Sequence, residues 1–437
     1  MGIHAIGEPG REATPRSYES LIADCVHCGF CLPACPTYRS WQEEMDSPRG
    51  RIDLMKGVQE GAIELNGAVV EHFDKCLGCM ACVTACPSGV RYDLLIEATR
   101  AKVEASYPRS PGDHAFRELI FSLFPYPNRL RVLAVPLWFA KASGLHALAR
   151  KLGLLRLLPS RLAQLDALAP KTSLSQIRAE LPAFTRAKGT RRGSVALIAG
   201  CVQRVFFPNV NQATIRVLAA EGFDVFVPEG QGCCGALSLH AGRDGEARRF
   251  AQKLIDRFAR DRDAGGVDAI VVNAAGCGST LKQYGEIFAA EPKMREDAER
   301  FARKVRDVSE FLAGVVPVAE RRPMPLRVAY HDACHLAHAQ RIREEPRQLL
   351  ATIPQLEIVE IADGDQCCGS AGVYNLLEPA SAAEIGERKV ENILAAAPDL
   401  LASANPGCTL QIGALLAKRG KKLQAAHPVE ILDAALA

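Results

Sequence analysis

The sequence predicts an α+β multidomain protein, with a helical cysteine-rich module followed by two repeated α/β cysteine-rich domains built on parallel sheets. Three observations predict it. Two Cys-x-x-Cys-x-x-Cys-x-x-x-Cys-Pro runs stand near the N-terminus, Cys25 to Pro36 and Cys76 to Pro87. A second, wider cysteine pattern repeats in the C-terminal half at a period of about 130 residues. In that half, short apolar runs alternate with helical stretches, which implies parallel strands joined by helical crossovers.

Bulk properties set the class. The chain has 437 residues, 48 % of them hydrophobic and 24 % charged, the mix of a water-exposed globular protein. A net charge of +3 argues against nucleic acid as a partner. The opening Met1 to Ser17 carries no apolar core of the kind a secretory signal needs. No run of about 18 apolar residues predicts a transmembrane helix. A cytoplasmic location is therefore expected, with residues 1–16 as a flexible tail. Cysteine is the outlier, with 16 residues. Disulfides belong to small domains in oxidising compartments, whereas cysteines two or three residues apart in a long chain suit metal ligation by thiolate.

Residues 17–108 read as a helical ferredoxin-like module with two [4Fe–4S] clusters. Three cysteines two apart wrap one face of an iron–sulfide cube, and the fourth, followed by proline, departs in a new direction. In two-cluster ferredoxins the fourth cysteine ligates the other cluster. Cys25, Cys28, Cys31 and Cys86 are thus expected to hold one cluster, and Cys76, Cys79, Cys82 and Cys35 the second. A pair of structural zinc sites is the competing reading, but zinc motifs usually pair one C-x-x-C with a second further away. Between the runs, Arg49 to Val58 carries apolar residues at helical spacing. Asp24 and Asp74 precede the runs and are expected to cap short helices. His27 lies between ligand candidates and reads as a neighbour, because the thiolates already fill the site.

Residues 109–193 read as a basic amphipathic connector. From Leu119 to Leu165 there is no Asp or Glu, while Arg129, Arg131, Lys141, Arg150, Lys151, Arg156 and Arg161 stand among Leu, Phe, Val, Ala and Trp138. Such a segment suits an anionic membrane surface, or helices packed on the protein itself or a partner. Pro125, Pro127, Pro136 and Pro159 are expected to break it into short helices. The polar Arg186 to Gly193 reads as a linker.

The two repeats occupy 194–318 and 326–437. The first carries Cys201, Cys233, Cys234 and Cys277, and the second Cys334, Cys367, Cys368 and Cys408. Strands are expected at Ser194 to Ala199, Asp224 to Pro228 and Asp268 to Asn273, and at Arg327 to Tyr330, Leu356 to Ile361 and Leu400 to Asn405. Helices are expected at Asn211 to Glu221 and around Ala247 to Phe258. Every cysteine then lies beyond the carboxyl end of a strand, where ligands of parallel sheets bind. Four convergent thiolates per repeat suit a further iron–sulfur cluster, zinc, or a redox-active dithiol; plain buried cysteine is the bland alternative. His335 follows Cys334 and suits a proton carrier or an orienter of the thiolate; the first copy has Val202 there.

The residues now quoted resemble the iron–sulfur subunit of bacterial glycolate oxidase. The likeness runs from the first cysteine run and Asp46-Ser-Pro-Arg-Gly-Arg51, through Cys76-Leu-Gly-Cys79 and Cys86-Pro-Ser-Gly-Val-Arg-Tyr92, to both Cys-Cys-Gly repeats. The repeats are shared more widely, with heterodisulfide reductase, a lactate-utilisation subunit and one subunit of anaerobic glycerol-3-phosphate dehydrogenase. The resemblance implies an electron-transfer subunit working beside FAD-containing subunits that oxidise glycolate to glyoxylate. It would pass electrons singly to a downstream acceptor such as quinone, on the inner face of the membrane or near it. Where the heterodisulfide reductase repeat ends in Cys-x-x-Cys, this sequence has Thr280 and Gln411. That departure counts against a five-cysteine cluster and against catalytic disulfide reduction. A glycerol-3-phosphate dehydrogenase subunit, a disulfide-cleaving reductase and a zinc scaffold are the alternatives. The chain itself has no flavin or nicotinamide motif, so no catalytic residue for substrate oxidation is assigned.

Overall fold

The structure is a computed structural model and describes residues 16–170, 172–260 and 266–437. Apart from Arg16, the expected tail lies outside the described residues. The cysteine-run region is made of helices α1 (Tyr18–Ala23), α2 (Pro36–Trp41), α3 (Pro48–Gln59), α4 (Gly67–Asp74), α5 (Ala81–Ala85) and α6 (Tyr92–Ser106). Pro36 and Pro48 open α2 and α3, where a missing N–H costs nothing. Ser47 caps α3 by accepting from the Gly50 amide. Arg51 ties three helices together at 1 % exposure. It donates to the Asp46 carboxylate at 3.1 Å, the Asp46 carbonyl at 2.6 Å, the His72 carbonyl at 2.7 Å and Thr37 Oγ1 at 3.2 Å.

Asp24 and Asp74 do not cap helix N-termini. Asp24 follows the last residue of α1 and pairs with Arg16, and Asp74 ends α4 and pairs with Arg109. Acidic groups at those C-terminal ends oppose the helix dipole, and the arginines offset that.

The connector contains helices α7 (Pro111–Leu123), α8 (Pro127–Ala142), α9 (Leu145–Lys151) and α10 (Ser160–Leu168). Pro125, Pro127 and Pro159 stand at breaks or starts, as expected, but Pro136 lies inside α8 and does not end it. Its position is solvent-exposed, where water can satisfy the carbonyl its ring leaves free. Leu130 and Ala134 of α8 pack inward with Ile177 and Val205, while Val132, Leu133, Phe139, Leu145, Leu148 and Leu152 are exposed. Among the described residues no single helix is long and apolar enough to cross a membrane; α8 and α9 meet at a bend of 67°.

Each repeat is built on four parallel strands in the same order, and the first adds an antiparallel edge strand. The first has order β1-β3-β2-β4-β5, with β1 at Phe184–Thr185, β2 at Gly193–Ile198, β3 at Phe223–Phe226, β4 at Ala269–Val272 and β5 at Val305–Asp307. The second has order β7-β6-β8-β9, with β6 at Arg327–His331, β7 at Glu357–Val359, β8 at Leu400–Ser403 and β9 at Gln424–Ala426. The fourth strands β5 and β9 are additions to the expected set. The stretch around Arg186 to Gly193 is not a free linker. It follows β1, which pairs antiparallel with β3, and is held down by the Ala187 amide and Arg191 on the Asp224 carboxylate. The two sheets share one apolar core, in which Val217 and Leu218 of the first repeat meet Ile431 and Leu432 of the second.

Candidate functional site

Loops at strand and helix ends gather the cysteines into four groups. None of the sixteen is in a disulfide. Cys25, Cys28, Cys31 and Cys86 line one small cavity, together with Gly29, Arg49 and Val90. Cys35, Cys76, Cys79 and Cys82 line another, with Arg51 and Tyr92. The fourth cysteine of each run thus meets the first three of the other. Among the described residues no carboxylate lines either cavity, and four sulfurs on each suit an iron–sulfur cube. The surroundings offer hydrogen bonds to sulfur: the Gly78 amide and the Tyr92 hydroxyl reach Cys76 Sγ at 3.4 and 3.6 Å.

The two groups differ in exposure. Cys28 is exposed, and Val26 and Phe30 beside it are 67 % and 65 % exposed. Cys35, Cys76, Cys79 and Cys82 are all buried. Burial pushes the Cys79 and Cys82 thiols far up, so a metal is needed to hold them as thiolates. Burial also acts on Cys76, but the Arg51 and Arg100 guanidiniums outweigh it and draw its thiol below the ordinary range. His27 stays on the surface, 3.6 Å from Asp53.

In each repeat the cysteines meet beyond the strand ends. Cys201 follows β2, Cys233 and Cys234 follow β3, and Cys277 follows β4; Cys201 Sγ lies 3.5 Å from Cys233 Sγ. Cys334, Cys367, Cys368 and Cys408 take the same places after β6, β7 and β8. The Cys-Cys-Gly glycines carry positive φ, 86° at Gly235 and 84° at Gly369, and each lies against the backbone of the next long helix, at Ala247 and Ala382. That close approach is what the glycine permits. Thr280 and Gln411, at the last motif position, are fully buried. Gln411 is occupied elsewhere, donating to the Ala382 carbonyl and accepting from Asn375.

The repeats face each other across a chamber of about 480 Å³, lined by cysteines of both copies, by His240 and His335, and by apolar residues of the connector including Phe124, Leu137 and Leu165. His335 does not direct its ring nitrogens to a cysteine. Nε2 donates to the Gly78 carbonyl at 3.0 Å and Nδ1 takes the Ser279 hydroxyl at 2.7 Å, so it bridges the buried cysteine run and the first repeat. Burial, aided by His240 with ring centroids 4.9 Å apart, lowers it to about 3, which keeps it neutral. The buried cysteine run touches the second repeat directly: Cys79 packs in one apolar cluster with Cys334 and Cys367.

Comparison with known proteins agrees with this layout. A 4Fe-4S dicluster domain matches residues 22–90, a cysteine-rich domain matches 195–282 and 328–413, and the linker region of glycolate oxidase iron–sulfur subunits matches 112–169. The probable glycolate oxidase iron–sulfur subunit of Bacillus subtilis is 37 % identical over 96 % of this chain and 95 % of its own length. The chain belongs to the family of glycolate oxidase iron–sulfur subunits. The Escherichia coli member is 33 % identical over 96 % of this chain and 95 % of its own. Lactate utilization protein A of Shouchella clausii is 32 % identical over 55 % of this chain. A hypothetical protein from Helicobacter pylori shares the fold in its crystal structure, with a TM-score of 0.56 at 9 % identity over 96 % of this chain and 76 % of that one.

For this iron–sulfur subunit the structure adds residues that pattern reading passed over. His331, at the end of β6, brings a ring nitrogen near Cys368 Sγ and Cys408 Sγ, all within 4.8 Å of one another. Lys389 is 2 % exposed and donates to the Asp363 and Gly364 carbonyls at 2.6 and 3.0 Å. Burial lowers its pKa, against the pull of Cys368 and Cys367. The available signal was a comparison of the two copies position by position, in which both residues replace apolar ones.

Proposed function

We propose that this chain is the electron-transfer subunit of a flavin-dependent glycolate oxidase complex. FAD-containing partner subunits would oxidise glycolate to glyoxylate and hand over electrons singly; the chain itself would not oxidise substrate. Cys25, Cys28, Cys31 and Cys86 would hold one [4Fe–4S] cluster, Cys76, Cys79, Cys82 and Cys35 the second, and the two repeats further metal centres. Bound clusters supply one-electron redox chemistry with little change in geometry.

The observation that carries this reading is the contiguous order of the sites. One cysteine group lies at the surface beside exposed Val26 and Phe30. The second is buried, and its Cys79 packs on Cys334 and Cys367 of the second repeat. The repeats in turn border the shared chamber. Electrons would arrive at the exposed group and leave from the chamber to an acceptor such as quinone. The exposed apolar face of α8 and α9, in a stretch without acidic residues, supports contact with an anionic membrane surface.

The test is anaerobic co-purification with the partner subunits, followed by electron paramagnetic resonance before and after addition of glycolate. Reduced iron–sulfur signals are expected on glycolate addition. Centres that stay oxidised with glycolate but are reduced by lactate or glycerol 3-phosphate would overturn the substrate; iron-free protein would overturn the carrier role.

A further inference from the structure

The two repeats place the same cysteines on the same strand order, so a residue that differs at an equivalent buried position is informative. Three residues before the first cysteine of each motif stands the last residue of the central strand, Ile198 in β2 and His331 in β6. Ile198 is 2 % exposed and lies in an apolar cluster with Cys201, Cys233 and Cys234. That position therefore needs nothing polar for the fold. His331 is 0 % exposed, and neither of its ring nitrogens has a hydrogen-bond partner among the described residues. Two orphaned polar atoms in a core destabilise the fold unless something binds them. One ring nitrogen already lies within 4.8 Å of the sulfurs of Cys368 and Cys408. Donors around one metal ion at ~2.0–2.3 Å stand roughly 3.3–3.8 Å apart, so small side-chain shifts close that gap.

We propose that His331 is a nitrogen ligand of the second repeat's metal centre, which the first repeat's centre lacks.

The reading rests on the proposed function in one respect, that the repeats hold a metal at all. Two further observations favour it. The second motif lacks a last cysteine, and the Gln411 that replaces it is spent on Asn375 and Ala382. An additional donor must come from elsewhere, and imidazole suits both iron and zinc. Counting seven residues on from Ala247 and Ala382, which meet the two Cys-Cys-Gly glycines, the repeats carry Leu254 and Lys389. The second site thus has an imidazole and a buried ammonium where the first has two hydrocarbons. A neutral nitrogen donor adds no negative charge to four thiolates, and the Lys389 cation offsets part of theirs.

The experiment uses the anaerobically purified complex, wild type and His331→Ile, the residue the first repeat uses. Protein is labelled with either ¹⁴N- or ¹⁵N-histidine. If the metal is iron, pulsed electron paramagnetic resonance is expected to show a nitrogen coupling that changes with the label and vanishes in the variant. If it is zinc, X-ray absorption at the zinc edge is expected to show mixed nitrogen and sulfur scattering that becomes sulfur-only, or zinc is lost. Circular dichroism and the signals of the two N-terminal clusters should be unchanged in His331→Ile, which separates ligation from folding; His331→Cys should restore metal content without nitrogen. A nitrogen signal absent from wild type by both methods, one unchanged in His331→Ile, or repeats without iron and zinc would each overturn the proposal. Failure of glycolate to reduce the complex would sink the function while leaving the nitrogen signal intact.

Discussion

The two repeats share a scaffold and differ in what it holds. Strand order, cysteine placement and the glycine against the long helix are common to both. Against that frame stand Ile198 and His331, Leu254 and Lys389, Val202 and His335, each pair apolar in the first copy and basic in the second. The second copy is also the one whose Cys334 and Cys367 touch Cys79. The duplicated backbone thus fixes where sulfur goes, while at these three matched positions the basic side chains belong to the second copy. Apolar neighbours are cheap to bury; a buried histidine and lysine persist only where partners offset their desolvation.

The largest expected effect tests whether the scaffolds are truly equivalent. A Cβ on Gly369 would stand 2.3 Å from the Ala382 carbonyl oxygen, and one on Gly235 3.0 Å from the Ala247 oxygen. Both positions already demand a left-handed backbone, which costs a non-glycine residue roughly 1–2 kcal/mol. Gly235→Ala is expected to stay near that cost. Gly369→Ala must also move a helix backbone and is expected to exceed about 3 kcal/mol. Urea unfolding of the two variants, with metal content measured alongside, checks the ranking. Equal losses would mean that the second loop can retreat as freely as the first.

Much of this scaffold is legible in the sequence. The cysteine spacing, the repeat and the central strands β2, β4, β6 and β8 stand out as apolar runs ending at cysteine. The outer strands β5 and β9 read Val-Arg-Asp and Gln-Ala-Ala, too short and too polar to form a pattern. Only the neighbouring strand defines them. Pro136 misleads because its local rule, that proline ends a helix, ignores where its ring points. His331 stands only three residues before Cys334, yet its missing hydrogen bonds exist only once β6 is packed. The chamber likewise joins residues from the connector and both repeats that no local window contains.

The ends of those outer strands supply a comparison of opposite sign. Asp307, the last residue of β5, and His427, just after β9, each cap the next helix through a reciprocal capping box, with Glu310 and Glu430. Burial raises Asp307 to about 7 and lowers His427 to about 3. The raised Asp307 favours the fold fully below its unfolded value of about 4, and that contribution is lost as pH rises through 7. The lowered His427 favours the fold fully above about 6.5, and its contribution is lost as pH falls toward 3. Asp307→Asn, which keeps a capping oxygen, is expected to flatten the stability loss between about pH 4 and 7. His427→Asn is expected to flatten the loss below pH 6. Each effect is on the order of 4–5 kcal/mol at most. Calorimetric unfolding across pH checks both, and a variant that shifts the curve without changing its slope would show that titration is not its origin.

The smallest effect concerns what joins the copies. Arg216 and Asp433 form a two-pronged ion pair at 2.8 and 2.6 Å across the contact between the helix Pro208–Ala220 and the helix Pro428–Ala434. Arg216 is half exposed, so solvent screens the pair, and Arg216→Ala is expected to cost less than about 1 kcal/mol. Leu432, next to Asp433 in sequence, is 1 % exposed in the shared core, and Leu432→Ala is expected to cost about 2–5 kcal/mol. The ratio is the test. If the ion pair costs as much as the leucine, charge rather than apolar burial holds the repeats face to face. The chamber between them would then open with salt, which accessibility of the half-buried Cys277 to a thiol reagent would report.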